Sequence, residues 1–315
     1  EDMISLSHVG GDAIYELLKK DEKAVLISPA MVKGSHLEKC FNSFPSRCFD
    51  VGIEEEHAVT FSAGMAAGGL KPFCNIYSSF SQRAYDEIIH DVALQNLPVV
   101  LCFDRAGLVG EDGATHNGCY DMAAYRSIPN AVISAPRNEE ELKNLMYTAS
   151  LYKGGPFIIR YPRGCGEGVD WRNAEYPELE PGKGVCLRKG SGMAIIAAGP
   201  EACRALEAAD YIEESTGISP SVYDIRYIKP IDVDILEEAA AEGCVLTVEE
   251  GCIKGGLFGA VAEYMASQGH QIVLDGLGIP DVYLSQDKQA SQRAECGLDK
   301  AGIAEKALFL LKNRK

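Results

Sequence analysis

Three short segments concentrate the side chains able to do chemistry. In Asp50-Val51-Gly52-Ile53-Glu54-Glu55-Glu56-His57, three successive carboxylates and an imidazole open a helical pattern directly after a β-rich run. Acidic residues in a first turn complement the helix dipole, and a carboxyl held in a cleft can transfer protons; the residues alone leave both readings open. Tyr77-Ser78-Ser79-Phe80-Ser81-Gln82-Arg83 places two aromatics and a cation at a second strand-to-helix turn, where plain packing plus a surface arginine is the ordinary outcome. The third segment runs from Asp104 through Arg105, Gly107, Gly110, Asp112, Gly113 and His116 to Gly118. Turn geometry explains its glycines but not its charged trio Arg105, Asp112 and His116. Tyr161-Pro162-Arg163-Gly164 adds one more cation at a candidate strand end. In a chain with net charge −16, Arg83, Arg105 and Arg163 at such ends suggest a planar, bidentate site for phosphate or carboxylate.

Other chemistries lose their support. The chain contains no Gly-x-x-x-x-Gly-Lys-Ser/Thr, no His-Glu-x-x-His and no Gly-x-Ser-x-Gly. Gly255-Gly256-Leu257-Phe258-Gly259 follows a strand and opens a helix, so it either cradles an anion or makes a close helix–strand turn, the plainer reading. The eleven cysteines are odd in number, scattered from Cys40 to Cys296 and without a Cys-x-x-Cys pair, which predicts that most are reduced core thiols and that none binds a metal. Thirty basic against 46 acidic residues argue against a nucleic-acid partner. No apolar run approaches the ~18–20 residues of a membrane span, and the first residues lack a signal-peptide layout. The expectation is a soluble, cytoplasmic protein, and a first residue that is Glu and not Met hints at a processed or truncated chain.

These segments need a scaffold that aligns strand ends. Ala24–Ser28, Phe49–Ile53, Pro72–Tyr77, Pro98–Asp104, Ala131–Ala135 and Pro156–Tyr161 read as strands, several apolar on both faces as in a parallel sheet. Gly11–Lys20, Glu55–Gly68, Gln82–Gln95 and Asn138–Lys153 carry helical spacing between them, with Asn138 placed to cap the last. Residues 171–183 are polar, rich in Pro, Gly and Glu, and read as a linker. A second alternation follows, with strands near Gly192–Ala198, Ser219–Ile225, Val245–Glu249 and Gln271–Leu277. Its helices fall near Glu201–Glu214, Val233–Glu242, Leu257–Ser267 and Lys300–Lys312. The predicted architecture is two successive α/β domains, residues 1–170 and 184–315, the first with a parallel sheet.

On these residues the chain resembles the 1-deoxy-D-xylulose-5-phosphate synthase family of the transketolase superfamily. The similarity runs through Phe49–Phe61, Ile76–Asp104, Ala106–Gly118, Tyr161–Gly164, Asp224–Asp232 and the stretch from Glu249-Glu250 to Gly255-Gly256. The run Arg83-Ala84-Tyr85-Asp86-Glu87-Ile88-Ile89-His90-Asp91-Val92-Ala93-Leu94-Gln95-Asn96-Leu97-Pro98 is its most specific part. The resemblance implies a thiamine-diphosphate pyrimidine-binding domain followed by a transketolase C-terminal-like domain. It also implies condensation of pyruvate with D-glyceraldehyde 3-phosphate with loss of CO2, on the way to isoprenoid precursors, thiamine and pyridoxal, in a homodimer. In the family a preceding domain holds the cofactor's diphosphate and Mg2+ through Gly-Asp-Gly and an Asn. This chain has no Gly-Asp-Gly, so by resemblance half of the site lies outside it and the chain alone is inactive.

Carried over by resemblance, Glu55 is the catalytic carboxyl that favours the imino form of the aminopyrimidine, Phe80 stacks on that ring and Ile53 lies against it. Tyr77, Arg83, Arg105, Asp112, His116 and Arg163 fall on substrate positions, the two later arginines suiting the acceptor's phosphate and His116 serving catalysis as well. The family usually reads Ile-Ala-Glu-Gln-His at the catalytic glutamate. Here Glu54 and Glu56 flank Glu55; buried, they would raise its pKa, but since consecutive helical residues point in different directions, the favoured expectation is that both face solvent. The rival readings are the separate C-terminal subunit of a split transketolase, the β subunit of a 2-oxo-acid dehydrogenase, and a non-catalytic binding protein on the same scaffold.

Overall fold

The strands with no polar face form the centres of the sheets. In the computed structural model, which describes residues 4–313, β1 (Ala24–Ser28) and β4 (Val100–Asp104) are buried at every residue. With β2 (Cys48–Asp50), β3 (Lys71–Tyr77), β5 (Val132–Ser134) and β6 (Phe157–Arg160) they make a parallel sheet in the order β5-β6-β4-β3-β1-β2. A second sheet has the order β12-β11-β8-β9-β7, from β7 (Val185–Arg188), β8 (Ala194–Ala198), β9 (Ser221–Asp224), β11 (Cys244–Cys252) and β12 (Val273–Ile279). All its neighbours are parallel except β7 against β9.

The strand β10 (Tyr227–Lys229) comes from the second domain yet pairs antiparallel with β5, completing the first sheet. A three-residue edge strand has no periodicity to read, so the sequence reading shows no strand there. One apolar core consequently runs through both domains, from Ile133 and Ile158 to Ile196, Ile225 and Ile228. The polar connection between the domains is anchored as well. Lys143, buried on α6 (Glu139–Leu151), donates Nζ to the carbonyls of Trp171 (2.8 Å) and Ala174 (2.6 Å) and sits 3.9 Å from the Tyr176 ring centre.

Helix starts follow local chemistry. Asn138 Oδ1 accepts from the Glu141 amide at 3.0 Å, capping α6 as its sequence predicts. The first helix, α1 (Leu6–Lys20), starts earlier than expected, with Ser5 as cap. Its Gly10-Gly11 pair is not a breaker but a close-packing site, since a Cβ on Gly11 would collide with the His36 carbonyl and one on Gly10 would press on Tyr161. The expected Gln82–Gln95 helix changes winding along its length: a 3₁₀ turn at Phe80–Ala84, an α turn, α4 (Tyr85–Glu87), and a π turn at Ile88–Ala93. The tight turn leaves Arg83 exposed beside Glu55, and the wide turn buries Ile88 and Val92.

The remaining helices are α2 (Glu38–Ser43), α3 (Glu55–Ala67), α5 (Asp121–Tyr125), α7 (Glu201–Thr216), α8 (Val233–Ala241), α9 (Leu257–Gln268), α10 (Gln289–Glu295) and α11 (Lys300–Asn313). Short α2, α5 and α10 carry too few turns to show a face in the sequence. At the glycine-rich start of α9 the anion is the protein's own. Glu249 accepts from the amides of Leu257 (2.8 Å) and Phe258 (2.9 Å), and burial pushes its carboxyl up to about 7 although these amides pull it back.

Candidate functional site

The site lies at the carboxyl ends of parallel strands, where an open α/β sheet leaves a crevice. The chain leaves β2 through Gly52, whose φ of +76° suits glycine, and enters α3 at Glu55. Glu54 and Glu56 are exposed, as the helical geometry predicts, while Glu55 is only 2% exposed. Glu55 Oε1 accepts from Arg83 Nη1 at 3.0 Å, and its Oε2 is buried without a hydrogen-bond partner among the described residues. A buried carboxylate oxygen with an open lone pair is costly unless something binds there.

Arg83 lies 5.2 Å from the Phe80 ring centre, and Phe80 stacks on Tyr77 (5.4 Å, 15° between planes) and meets His116 edge-on at 5.4 Å. Tyr77, at the end of β3, is covered by the Arg105 guanidinium at 4.1 Å. Arg105 adopts φ +58° just past β4 and donates Nη2 to the Gly34 carbonyl at 3.0 Å. Beneath it Asp104 is fully buried, bonded by Ser7 Oγ (2.8 Å) and the Arg105 amide (2.7 Å). Burial raises the Asp104 carboxyl above its ordinary range, and Arg105 works against that rise. Arg163, after β6, donates Nη1 to the Val109 carbonyl and lies 3.5 Å from Asp112 Oδ2. The Tyr77 hydroxyl is pushed up to about 12 by burial, with the charges of Arg105, Asp104, Asp112 and Arg163 acting on it as well.

The fold therefore joins Glu55, Arg83, Phe80, Tyr77, His116, Arg105, Asp112 and Arg163 in one chain of neighbours. Arg83 belongs to the carboxylate end of this chain and not to the pair Arg105 and Arg163. Ile53 is 76% exposed beside Glu55 and touches none of the others through a polar or ring contact. Sequence reasoning passed over the turn after β1, where Gly34 supplies the carbonyl for Arg105 and a Cβ would collide with the Tyr77 hydroxyl. Met31-Val32-Lys33-Gly34-Ser35-His36 follows a strand just as the other site segments do, and the same rule applied to it would have found it.

A second buried network lies behind the site. Arg160 Nε donates to Asp121 Oδ2 at 2.8 Å, Ser78 Oγ donates to the same oxygen at 3.1 Å, and Arg160 Nη2 donates to the Glu250 carbonyl at 2.9 Å. Among the described residues, no group of three His, Cys, Asp or Glu side chains is placed to hold a metal ion, and no helix is long and apolar enough to cross a membrane.

A buried carboxyl beside an aromatic stack, with three arginines at the ends of parallel strands and a second α/β domain behind them, gives a two-domain α/β protein with one cluster of candidate site residues. The chain belongs to the transketolase family, whose members are thiamine-diphosphate-dependent transferases: the transketolase pyrimidine-binding domain matches residues 2–167, and the transketolase C-terminal domain residues 182–303. It is 48% identical over 301 residues to the 1-deoxy-D-xylulose-5-phosphate synthase of Bacteroides thetaiotaomicron, covering 95% of this chain and 46% of that one. It is 46% identical over 303 residues to the synthase of Thiobacillus denitrificans, covering 95% and 47%. The chain thus spans about half the length of the curated relatives it matches. Among solved structures, a split-gene transketolase in an inactive β4 tetramer superimposes with a TM-score of 0.88 at 28% identity, covering 99% of this chain and 100% of that one.

Proposed function

We propose that this chain is the pyrimidine-binding and C-terminal portion of a 1-deoxy-D-xylulose-5-phosphate synthase, which joins pyruvate to D-glyceraldehyde 3-phosphate with loss of CO2 and feeds isoprenoid, thiamine and pyridoxal synthesis. The observation that carries this reading is Glu55: buried, first in its helix, with one oxygen held by Arg83 and the other unbonded. That open oxygen and the half-buried Phe80 ring suit the pyrimidine end of thiamine diphosphate. When bound, the cofactor supplies the nucleophilic carbon and the electron sink. Glu55 holds and releases the proton at its unbonded oxygen, against the pyrimidine ring, and Arg83 orients its carboxylate. Tyr77, Arg105 and Arg163 bind the acceptor's phosphate, with Asp112 holding Arg163 in place. His116, edge-on to Phe80, moves the proton at the acceptor's carbonyl oxygen. Ile53 offers an exposed apolar surface that a second segment or the cofactor covers. Diphosphate and Mg2+ are held by a segment outside this chain, in a cytoplasmic homodimer.

The test has two parts. Calorimetric titration of this chain with thiamine diphosphate and Mg2+ should show weak or no binding; a tight, Mg2+-dependent site per chain would sink the composite-site reading. Joined to a diphosphate-binding half, the chain should turn over, and Glu55→Ala should cost ~10²–10⁴-fold, whereas Glu54→Ala and Glu56→Gln, on the exposed side, should cost far less. An equal loss at Glu54 or Glu56 would place the catalytic carboxyl elsewhere.

One observation favours a second reading. The split-gene transketolase chain is matched over its full extent, so a separately encoded subunit of this size exists on this scaffold. The genomic sequence upstream decides between them: an in-frame continuation encoding Gly-Asp-Gly and an Asn supports the single-chain synthase, and a separate reading frame supports the subunit.

A further inference from the structure

The segment that carries Arg105, Asp112 and His116 leans on the C-terminal domain. At Gly107, φ +80°, a Cβ would stand 2.6 Å from Glu250 Oε1, so the backbone lies directly on that side chain. Glu250 Oε1 accepts from the Leu108 amide at 2.9 Å, and its Oε2 is held by Arg293 Nε of α10 at 2.7 Å. One residue earlier on α10, fully buried Gln292 accepts from the Gly110 amide at 2.9 Å and donates to the Ser285 carbonyl at 2.9 Å. Gln289, at the start of the same helix, donates Nε2 to two carbonyls: Leu108 at 2.6 Å and Arg163 at 3.0 Å.

That last pair is the informative one. Leu108 lies three residues after Arg105, and Arg163 follows β6, so a single amide from the second domain ties together the backbones of the two segments that bear the arginines. Planar, bidentate recognition of a phosphate depends on the spacing of its arginines, and a misplacement on the order of 1 Å can cost a large part of the benefit. Neither Gln289 nor Gln292 faces Glu55, Phe80 or Arg83 through any hydrogen bond of its own.

We propose that α10 of the C-terminal domain is the positioning element for the phosphate of the acceptor: Gln289 sets the spacing of the Arg105 and Arg163 segments, and Gln292 fixes the Gly110 turn between them. The second domain thereby determines selectivity for a phosphorylated acceptor, apart from the proton chemistry at Glu55. This rests on the reading above that Arg105 and Arg163 hold the phosphate.

The experiment uses Gln289→Ala and, as a control, Arg163→Ala, each in the chain assembled with its diphosphate-binding half. The acceptors compared are D-glyceraldehyde 3-phosphate and unphosphorylated D-glyceraldehyde. Gln289→Ala should raise KM for the phosphorylated acceptor about tenfold, equivalent to about 1.4 kcal/mol, with kcat and the KM for pyruvate within about twofold. The preference for the phosphorylated acceptor should shrink by the same factor. Hydrogen exchange on the chain itself should show faster exchange across residues 107–113 in Gln289→Ala, which measures the clamp without any turnover. Unaltered exchange would overturn the clamp, and an equal loss on both acceptors would show general support of the fold in place of phosphate positioning. If Arg163→Ala also leaves the phosphate preference intact, the phosphate reading itself fails. If Arg163→Ala abolishes that preference while Gln289→Ala keeps it, only the role of α10 falls.

Discussion

Replacing Arg163 with alanine should weaken use of the phosphorylated acceptor and little else, whereas Arg105→Ala should weaken both acceptor use and the fold. A charge-assisted hydrogen bond is worth roughly 1.5–3 kcal/mol, and at roughly 1.4 kcal/mol per decade either loss predicts a drop of about 10- to 150-fold in kcat/KM for D-glyceraldehyde 3-phosphate. The two residues differ in what else they hold. Arg163 is partly exposed and its ion pair with Asp112 is long at 3.5 Å, so its removal strands no buried charge. Arg105 covers Asp104, which is 0% exposed, at 3.3 Å. Breaking a buried pair typically costs about 3–5 kcal/mol; because Ser7 Oγ and the Arg105 backbone amide still bond Asp104, about 2 kcal/mol is the working figure for Arg105→Ala. At roughly 2–4 °C per kcal/mol for chains of this class, its melting temperature should fall by about 4–8 °C. Arg163→Ala should melt within about 2 °C of the parent. The assays are paired kinetic titrations, varying pyruvate in one and the aldehyde in the other, with thermal melts on the same preparations. If Arg163→Ala lost equally on both substrates, or Arg105→Ala melted like the parent, the division of labour argued from Asp104 would be wrong.

The remaining predictions concern buried charge. Burial raises Glu249 to about 7, so its folded pKa exceeds its unfolded one; the stability it contributes is complete below the unfolded value and is lost as pH rises through about 7. Glu249→Gln should remove that loss, and its stability relative to the parent should improve by up to about 3 kcal/mol on going from roughly pH 4 to pH 8; melting curves with a constant offset across that range would refute this. Asp121→Ala leaves Arg160, 4% exposed, and Ser78 without their shared oxygen, so it should cost about 3–5 kcal/mol and calorimetry should show a clearly lowered transition; a shift under about 2 °C would mean that water replaces the carboxylate.

How much of this was legible in the amino-acid sequence depended on the range over which each signal acts. The runs Ala24–Ser28 and Val100–Asp104 are apolar at nearly every position, and such a run has few homes other than the centre of a parallel sheet, so the strands and the ends that hold the site could be read. Asn138 caps through its own neighbours; the acidic run at Glu54-Glu55-Glu56 marks a helix start, but only the family resemblance singles out Glu55 within it. What stayed hidden depends on partners far along the chain. Nothing near Asp121 announces Arg160, 39 residues away, and nothing near Leu108 or Gly110 announces Gln289 and Gln292, 181 and 182 residues on. The edge strand Tyr227–Lys229 is legible only once β5 exists for it to join.

The same reasoning explains why the domain division is clearer in the sequence than in the folded protein. Composition shifts at residues 171–183, which are largely polar, but Trp171 is buried in the first domain's core and Leu179 packs against it, so the boundary marked there is not one of independence. β10 crosses it to complete the first sheet, Glu250 and Gln289 cross it to reach the site loop, and Arg137 bonds both Glu141 in the first domain and Asp224 in the second. A side chain fully buried between two domains has its geometry set by both. Gln292 is such a side chain, and half-buried Gln289 ties the Leu108 and Arg163 carbonyls from the same helix, so residues 1–170 expressed without the second domain should fold their central strands and show faster hydrogen exchange across residues 107–113.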